Sequence, residues 1–269
     1  AMSKITGAFA AIVMDETHMI GFRDPDGIRP LVLGDLDGHP VLASESCALD
    51  IVGAKLVRDI EPGEIVICTA DGVESISIKP GTEHAPALCV FEFIYFARPD
   101  SKLDGVHLHG ARERMGERLA EESPVEADVV IPIPDSGAPA AQGYARKSGI
   151  PYADGLVKNR YVGRTFIQPD QALREHGIKL KFNPMPDVLS GRRVIVVDDS
   201  IVRGTTTRKI VEMLRGAGAT EVHLRISSPP VISPCFYGID MASKDQLIAA
   251  HKSNEEIRLH LGADSLAYL

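Results

Sequence analysis

The most telling residues are two adjacent aspartates. The run VIVV (194–197) leads straight into Asp198 and Asp199, and SIVRGTTT follows. That stretch supplies hydroxyls at Ser200, Thr205, Thr206 and Thr207, a cation at Arg203 and a glycine at Gly204. A strand, a short hydroxyl-rich loop and a helical pattern in this order build an anion site, because the first N–H groups of a helix are unpaired and its dipole favours negative charge. Gly204 lets the backbone approach a ligand closely. The loop lacks the GxxxxGK[ST] pattern of a Walker A phosphate cradle. Two carboxylates beside an anion site must serve another part of the same ligand. They suit a pair of neighbouring hydroxyls, or a hydrated Mg2+. A ribose with a terminal phosphate, a cis-diol and a metal-bound diphosphate at C1 meets all three demands.

A second segment has the same build. In IPIPDSG (131–137) a strand gives way to Asp135, Ser136 and Gly137, and a helical pattern begins. Alone, this would read as an ordinary N-cap; beside the first loop it reads as a second phosphate site. Between the two lies a basic stretch, KNRYVGRTF, with Lys158, Arg160 and Arg164. RGAGAT (215–220) has glycines spaced as in a dinucleotide loop, but it follows a helix instead of a strand and so reads as a helix end and turn. The nine histidines show no HxxxH or HxxE spacing, and none is assigned to a metal.

These residues need elements to hold them. From Leu88 on, helical and strand patterns alternate: GARERMGERLAEES (110–123), ADVVIPIP, GAPAAQGYARKSG (137–149), RRVIVVDD, TTTRKIVEMLRGAG and EVHLRISSPP. The alternation predicts an α/β domain over 88–269, with a parallel sheet covered by helices and ligands at the carboxyl ends of its strands. Residues 3 to about 80 have another texture, with short strand-like runs and Asp-Gly at 26–27, 37–38 and 71–72. That predicts a mostly β domain over 1–80 with hairpins at the Asp-Gly pairs. KPGTEHAPA (79–87) reads as a linker.

The chain has 269 residues, 44% hydrophobic and 25% charged, with net charge -8. That balance argues against a nucleic-acid partner, and no apolar run is long enough for a membrane span. GAFAAIVM reads as a strand, because Asp15 and Glu16 follow it without a cleavage site. The Ala1-Met2 start suggests a foreign alanine before a native methionine. Cys47, Cys68, Cys89 and Cys235 are far apart, which predicts reduced thiols and a cytoplasmic protein.

VIVVDDSIVRGTTT resembles the phosphoribosylpyrophosphate (PRPP) signature of type I phosphoribosyltransferases. FEFIYFARPDS (91–101), ADVVIPIPDSG (127–137), KNRYVGRTFIQP (158–169) and SPPVISPCFYGID (228–240) resemble the glutamine PRPP amidotransferase family, and the likeness covers nearly the whole chain. The resemblance implies a type I phosphoribosyltransferase fold joined to part of an N-terminal-nucleophile glutaminase domain. It implies transfer of ammonia to C1 of PRPP, giving 5-phosphoribosylamine and pyrophosphate, the first step of purine synthesis. By the same resemblance Asp135, Ser136 and Gly137 receive pyrophosphate, Asp198 to Thr207 receive the ribose phosphate, and Ser136, Asp198 and Asp199 hold Mg2+. The segment with Lys158, Arg160 and Arg164 is a flap that closes over PRPP. Purine nucleotides are expected as feedback ligands, and a homo-oligomer is expected.

Two departures from the family stand out. Its glutaminase nucleophile is an N-terminal cysteine, whereas this chain starts Ala-Met-Ser and its first cysteine is Cys47; Asn159, Asn183 and Asn254 all lack the following glycine of the family's oxyanion pair. The chain as it stands is therefore expected to use ammonia and not glutamine, with a separate glutaminase chain as a possible partner. Some members also hold a [4Fe-4S] cluster. Cys89 and Cys235 match two of its ligands, the other two are missing, and two thiolates alone make a poor cluster site. A different class of function also fits: a PRPP- or nucleotide-binding subunit, or a degenerate paralogue active only with a glutaminase partner.

Overall fold

A computed structural model describes residues 5–77, 87–159, 161, 181–241 and 243–269. The chain divides into two compact units, Ala1–Ala111 with Phe236–Ile239, and Arg112–Cys235 with Asp240–Leu269. Residues 88–111, between the expected linker and this division, group with the first unit. The expected linker falls almost wholly outside the described residues.

The first unit is mostly β. Strands β1 (Ala10–Met14), β2 (Met19–Arg23), β6 (Glu64–Thr69) and β7 (Gly72–Ser77) form one antiparallel sheet in the order β1-β2-β6-β7. Strands β3 (Val32–Leu36), β4 (His39–Ala43) and β5 (Lys55–Asp59) form a second, in the order β4-β3-β5. The Asp-Gly pairs at 37–38 and 71–72 close the hairpins β3–β4 and β6–β7. Asp37 and Gly38 take the left-handed backbone that such a turn needs. The pair at 26–27 does something else: Gly27 turns the chain from β2 in one sheet to β3 in the other. A short helix, α1 (Ser46–Val52), and a π-helical turn (Glu92–Phe96) interrupt the β pattern. The small hairpin of β8 (Lys102–Leu103) and β9 (Val106–His107) precedes helix α2 (Leu108–Glu122).

The second unit holds a parallel sheet in the order β10-β13-β14-β15, formed by β10 (Val129–Pro132), β13 (Arg193–Asp198), β14 (Glu221–Ile226) and β15 (Ser265–Tyr268). Residues 194–197 of β13 are fully buried because both faces are covered. Val194 and Val196 join one apolar cluster, with Ile210, Leu214 and Ile257; Ile195 and Val197 join the other, with Tyr144 and Leu119. That two-sided burial is why the strand reads as an unbroken apolar run. Helices α3 (Ala138–Ser148), α4 (Pro186–Leu189), α5 (Thr205–Gly216) and α6 (Asn254–Leu261) complete the unit, with an antiparallel ribbon of β11 (Leu156–Lys158) and β12 (Phe182–Pro184). Helices α3 and α5 start within one residue of the sequence pattern, α2 starts two residues earlier than its pattern, and α6 was not foreseen. Gly149 ends α3 in the left-handed conformation. No helix among the described residues is long and apolar enough to cross a membrane.

Candidate phosphate and metal site

Strands β10 and β13 are parallel neighbours, with Pro132 opposite Val197. The loops that leave their carboxyl ends are therefore side by side. Ile133 N–H donates to the Val197 carbonyl (2.9 Å), and Gly137 N–H donates to the Ile133 carbonyl (3.0 Å). A Cβ on Gly137 would stand 2.3 Å from the Val197 carbonyl oxygen, so only glycine lets the two loops pack this closely. Gly137 is also the N-cap of α3; the Ala138 N–H donates to the Asp135 carbonyl (3.3 Å) and Pro139 has no N–H, so Ala140 is the first helical residue with an N–H not spent within the loop. Ser136 is half-buried, and Asp135 is exposed.

The acid pair ends β13. Asp198 and Asp199 are both buried. Asp199 N–H donates to Asp198 Oδ1 (2.9 Å), and the Ser200 hydroxyl donates to Asp199 Oδ2 (2.5 Å). Ser227 N–H, at the end of β14, donates to the Asp198 carbonyl (3.0 Å) and fixes the strand end. Burial pushes the Asp198 carboxyl well above the usual carboxylate range, and the negative charge of Asp199 pushes it further. Gly204, with φ 76°, turns the chain into α5. Beyond it Thr205 is exposed, Thr206 half-buried and Thr207 buried. Arg203 is exposed and bonded to Gln246.

The basic stretch meets this edge at one described residue. Lys158, at the end of β11, donates to Asp135 Oδ2. Arg160 and Arg164 lie outside the described residues. Across the ribbon from Lys158, Asn159 N–H bonds the Lys181 carbonyl (2.8 Å). Lys181, half-buried, is a residue that the sequence did not single out. Burial lowers its pKa, the charge of Lys158 lowers it further, and Asp135 and Asp198 act in the opposite sense. It is thus a cation in the electrostatic reach of both acidic loops. It lies beyond KNRYVGRTF and carried no sequence signal of its own.

The oxygen donors fit a hard divalent cation. Mg2+ needs one or two carboxylates, keeps several waters and takes its remaining ligands from a substrate phosphate. The buried Asp198–Asp199 pair is short of positive charge, and Ser136 offers a hydroxyl from the neighbouring loop. The thiols differ. Cys89 and Cys235 are half-buried, in different units, and the cysteines form no disulfide. Among the described residues no group of three or more His, Cys, Asp or Glu side chains is placed to hold a metal.

Residues 107–227 match the phosphoribosyl transferase domain family. Along its whole length the chain is related to amidophosphoribosyltransferases. It is 57% identical to that of Synechococcus elongatus and 54% identical to that of Bacillus subtilis, in each case over 100% of this chain. It covers 55% and 56% of those two proteins, so the chain spans about half the length of the curated relatives it matches. The solved structure of the B. subtilis glutamine PRPP amidotransferase, complexed with ADP and GMP, superposes with a TM-score of 0.91 at 54% identity, over 100% of this chain and 58% of that one. A structure described as the allosteric regulatory enzyme of purine biosynthesis gives the same TM-score at 53% identity, over 100% of this chain and 57% of that one.

Proposed function

We propose that the chain carries the phosphoribosyl-transfer half of a cytoplasmic amidophosphoribosyltransferase. Ammonia attacks C1 of PRPP, the C–N bond forms as the C1–O bond to pyrophosphate breaks, and the new ammonium group loses a proton to water. The products are 5-phosphoribosylamine and pyrophosphate, as in the first step of purine synthesis. The observation that carries this reading is the buried acid pair at the end of a parallel strand, hard against a second loop that ends its neighbour, in a chain related throughout to amidophosphoribosyltransferases.

Asp198 and Asp199 accept from the ribose hydroxyls. Ser200, Gly204 and Thr205–Thr207 cradle the 5-phosphate at the start of α5, and Arg203 adds positive potential. Ser136 and Gly137 receive the pyrophosphate at the start of α3. Ser136, Asp198 and Asp199 would hold Mg2+, which when bound neutralises charge on the leaving pyrophosphate. Lys158 leaves Asp135 for the pyrophosphate, and Lys181, Arg160 and Arg164 add to the positive field there. The developing charge lies on the leaving group, so electrostatic stabilisation by these residues carries the rate. Free ammonia is already a nucleophile and needs no base. Purine nucleotides, which carry a ribose phosphate, would bind the same loops as feedback ligands. Cys89 and Cys235 could ligate a cluster only with thiolates from elsewhere.

The test is to incubate the 269-residue chain with PRPP, Mg2+ and either ammonium or glutamine, and to follow pyrophosphate and glutamate. Pyrophosphate should appear with ammonium, faster as pH rises toward the pKa of ammonium, and no glutamate should form. Tight PRPP binding without pyrophosphate release would favour a binding subunit that acts with a glutaminase partner. Glutamate release would overturn the assignment of ammonia as the nitrogen source for this chain.

A further inference from the structure

We propose that Gln246 is a charge-neutral clamp on Arg203, fixing that guanidinium beside the 200–204 loop without cancelling its charge. The inference rests on the reading of this loop as the PRPP phosphate site. Gln246 ends a short 3-10 turn (Lys244–Gln246), followed by the buried anchors Leu247 and Ile248. Those anchors seat the turn against the loop. Ile248 N–H donates to the Val202 carbonyl (2.9 Å), and a Cβ on Gly204 would meet Ile248 Cδ1 at 3.0 Å. From this backing Gln246 reaches Arg203, and its Oε1 accepts from Nε (2.9 Å) and from Nη2.

The chemistry of the acceptor matters. Several arginines of the unit bond carboxylates: Arg208 to Glu212, Arg215 to Asp264, Arg193 to Asp128; the buried Arg225 instead bonds the Ser123 and Leu224 carbonyls and the Ser265 hydroxyl. Among the described residues Arg203 makes no ion pair; its acceptor is an amide oxygen. An amide restrains the side chain, so less rotamer entropy is lost when an anion binds. It carries no net charge, so the potential toward that anion survives. A carboxylate at 246 would hold Arg203 more tightly and cancel its field. A clamp that served only the fold would be improved by glutamate; one that preserves charge for a ligand would be spoiled by it.

Gln246→Glu and Gln246→Ala, each alone and with Arg203→Met, discriminate. PRPP binding with Mg2+ is measured by calorimetry on the 269-residue chain, with thermal midpoints alongside. Gln246→Glu should match or exceed the wild-type midpoint yet raise the PRPP Kd roughly fivefold at low salt, the loss shrinking as salt screens the exposed charges. Gln246→Ala should raise Kd roughly twofold to threefold, the cost of ordering a released arginine. In kinetics the KM for PRPP should rise more than kcat falls. With Arg203→Met present, both changes at 246 should lose their effect. PRPP binding by Gln246→Glu as tight as wild type, or a Gln246→Glu loss that persists without Arg203, would overturn the clamp alone. Wild-type protein that binds no PRPP would overturn the site reading and the clamp with it.

Discussion

Asp135 and Asp198 stand at the carboxyl edge of neighbouring parallel strands, yet the Asp135 side chain is 77% exposed and Asp198 is 9% exposed. Asp135 is solvated and has a lysine beside it, an arrangement that costs the fold little and stabilises it little. Asp198 has given up water for one backbone N–H and a second carboxylate next to it. A buried like-charge pair is a net cost to the empty protein. Such a cost is the mark of a site built for a ligand and not for stability. In the loop with the exposed acid the constraint is geometric, at Gly137 and the start of α3; in the other it is the burial of two carboxylates.

The comparison breaks most severely at Gly137. Gly137→Ala places a Cβ 2.3 Å from the Val197 carbonyl oxygen and 3.1 Å from the Ile133 carbonyl oxygen. Both are backbone atoms and cannot rotate away. Unfolding in denaturant should show a loss of about 3 kcal/mol and PRPP binding should vanish. A loss below about 1 kcal/mol would mean that the two loops are free to part.

Next comes the acid pair. Asp198→Asn or Asp199→Asn should weaken PRPP binding with Mg2+ tenfold or more, about 1.4 kcal/mol, while leaving the fold intact or slightly firmer. Unchanged affinity in both would remove the pair from the site. The pH dependence follows from the raised Asp198 carboxyl. Above about pH 4, where an unfolded aspartate is already ionised, the folded protein still holds its proton. The stability this contributes is present at low pH and is lost as pH rises through the folded value. The Tm of ligand-free wild type should therefore fall relative to Asp198→Asn as pH increases; a constant difference would contradict the burial argument.

The smallest effect is expected at the exposed side of the comparison. Lys158→Met removes the partner of Asp135, and the ligand-free protein should change by less than about 0.5 kcal/mol. On the proposed role of Lys158 at the pyrophosphate, the PRPP KM should still rise, roughly threefold. A large loss of stability with no change in KM would make the ion pair structural.

Much of this was legible in the chain. The VIVV run, the two loop signatures and the helices after them appear in the structure in the order the sequence sets, because a strand buried on both faces and an amphipathic helix leave strong periodic marks. The Asp-Gly pairs at 37–38 and 71–72 marked hairpins, since few residues tolerate a left-handed backbone. The pair at 26–27 carries the same signal but joins two sheets, because sheet membership is set by long-range pairing that a dipeptide cannot encode. Helix α1 was hidden in a stretch of β texture, as seven residues hold too few turns for a period to show. Lys181 and Gln246 had no motif at all. Each meets its partner, Asn159 or Arg203, across a long stretch of sequence.

The sequence by itself determined the chemical types at the site, their order along the chain, and the alternation that makes a parallel sheet, because these depend on local propensity and on the period of apolar residues. Tertiary structure alone decided which acids are buried and which are exposed, which glycine has no room for a methyl group, and which neutral side chain restrains a cation. Those are properties of the space between elements: β10 and β13 must first pair before Gly137 can press on Val197, and the 244–250 segment must fold back before Gln246 can meet Arg203.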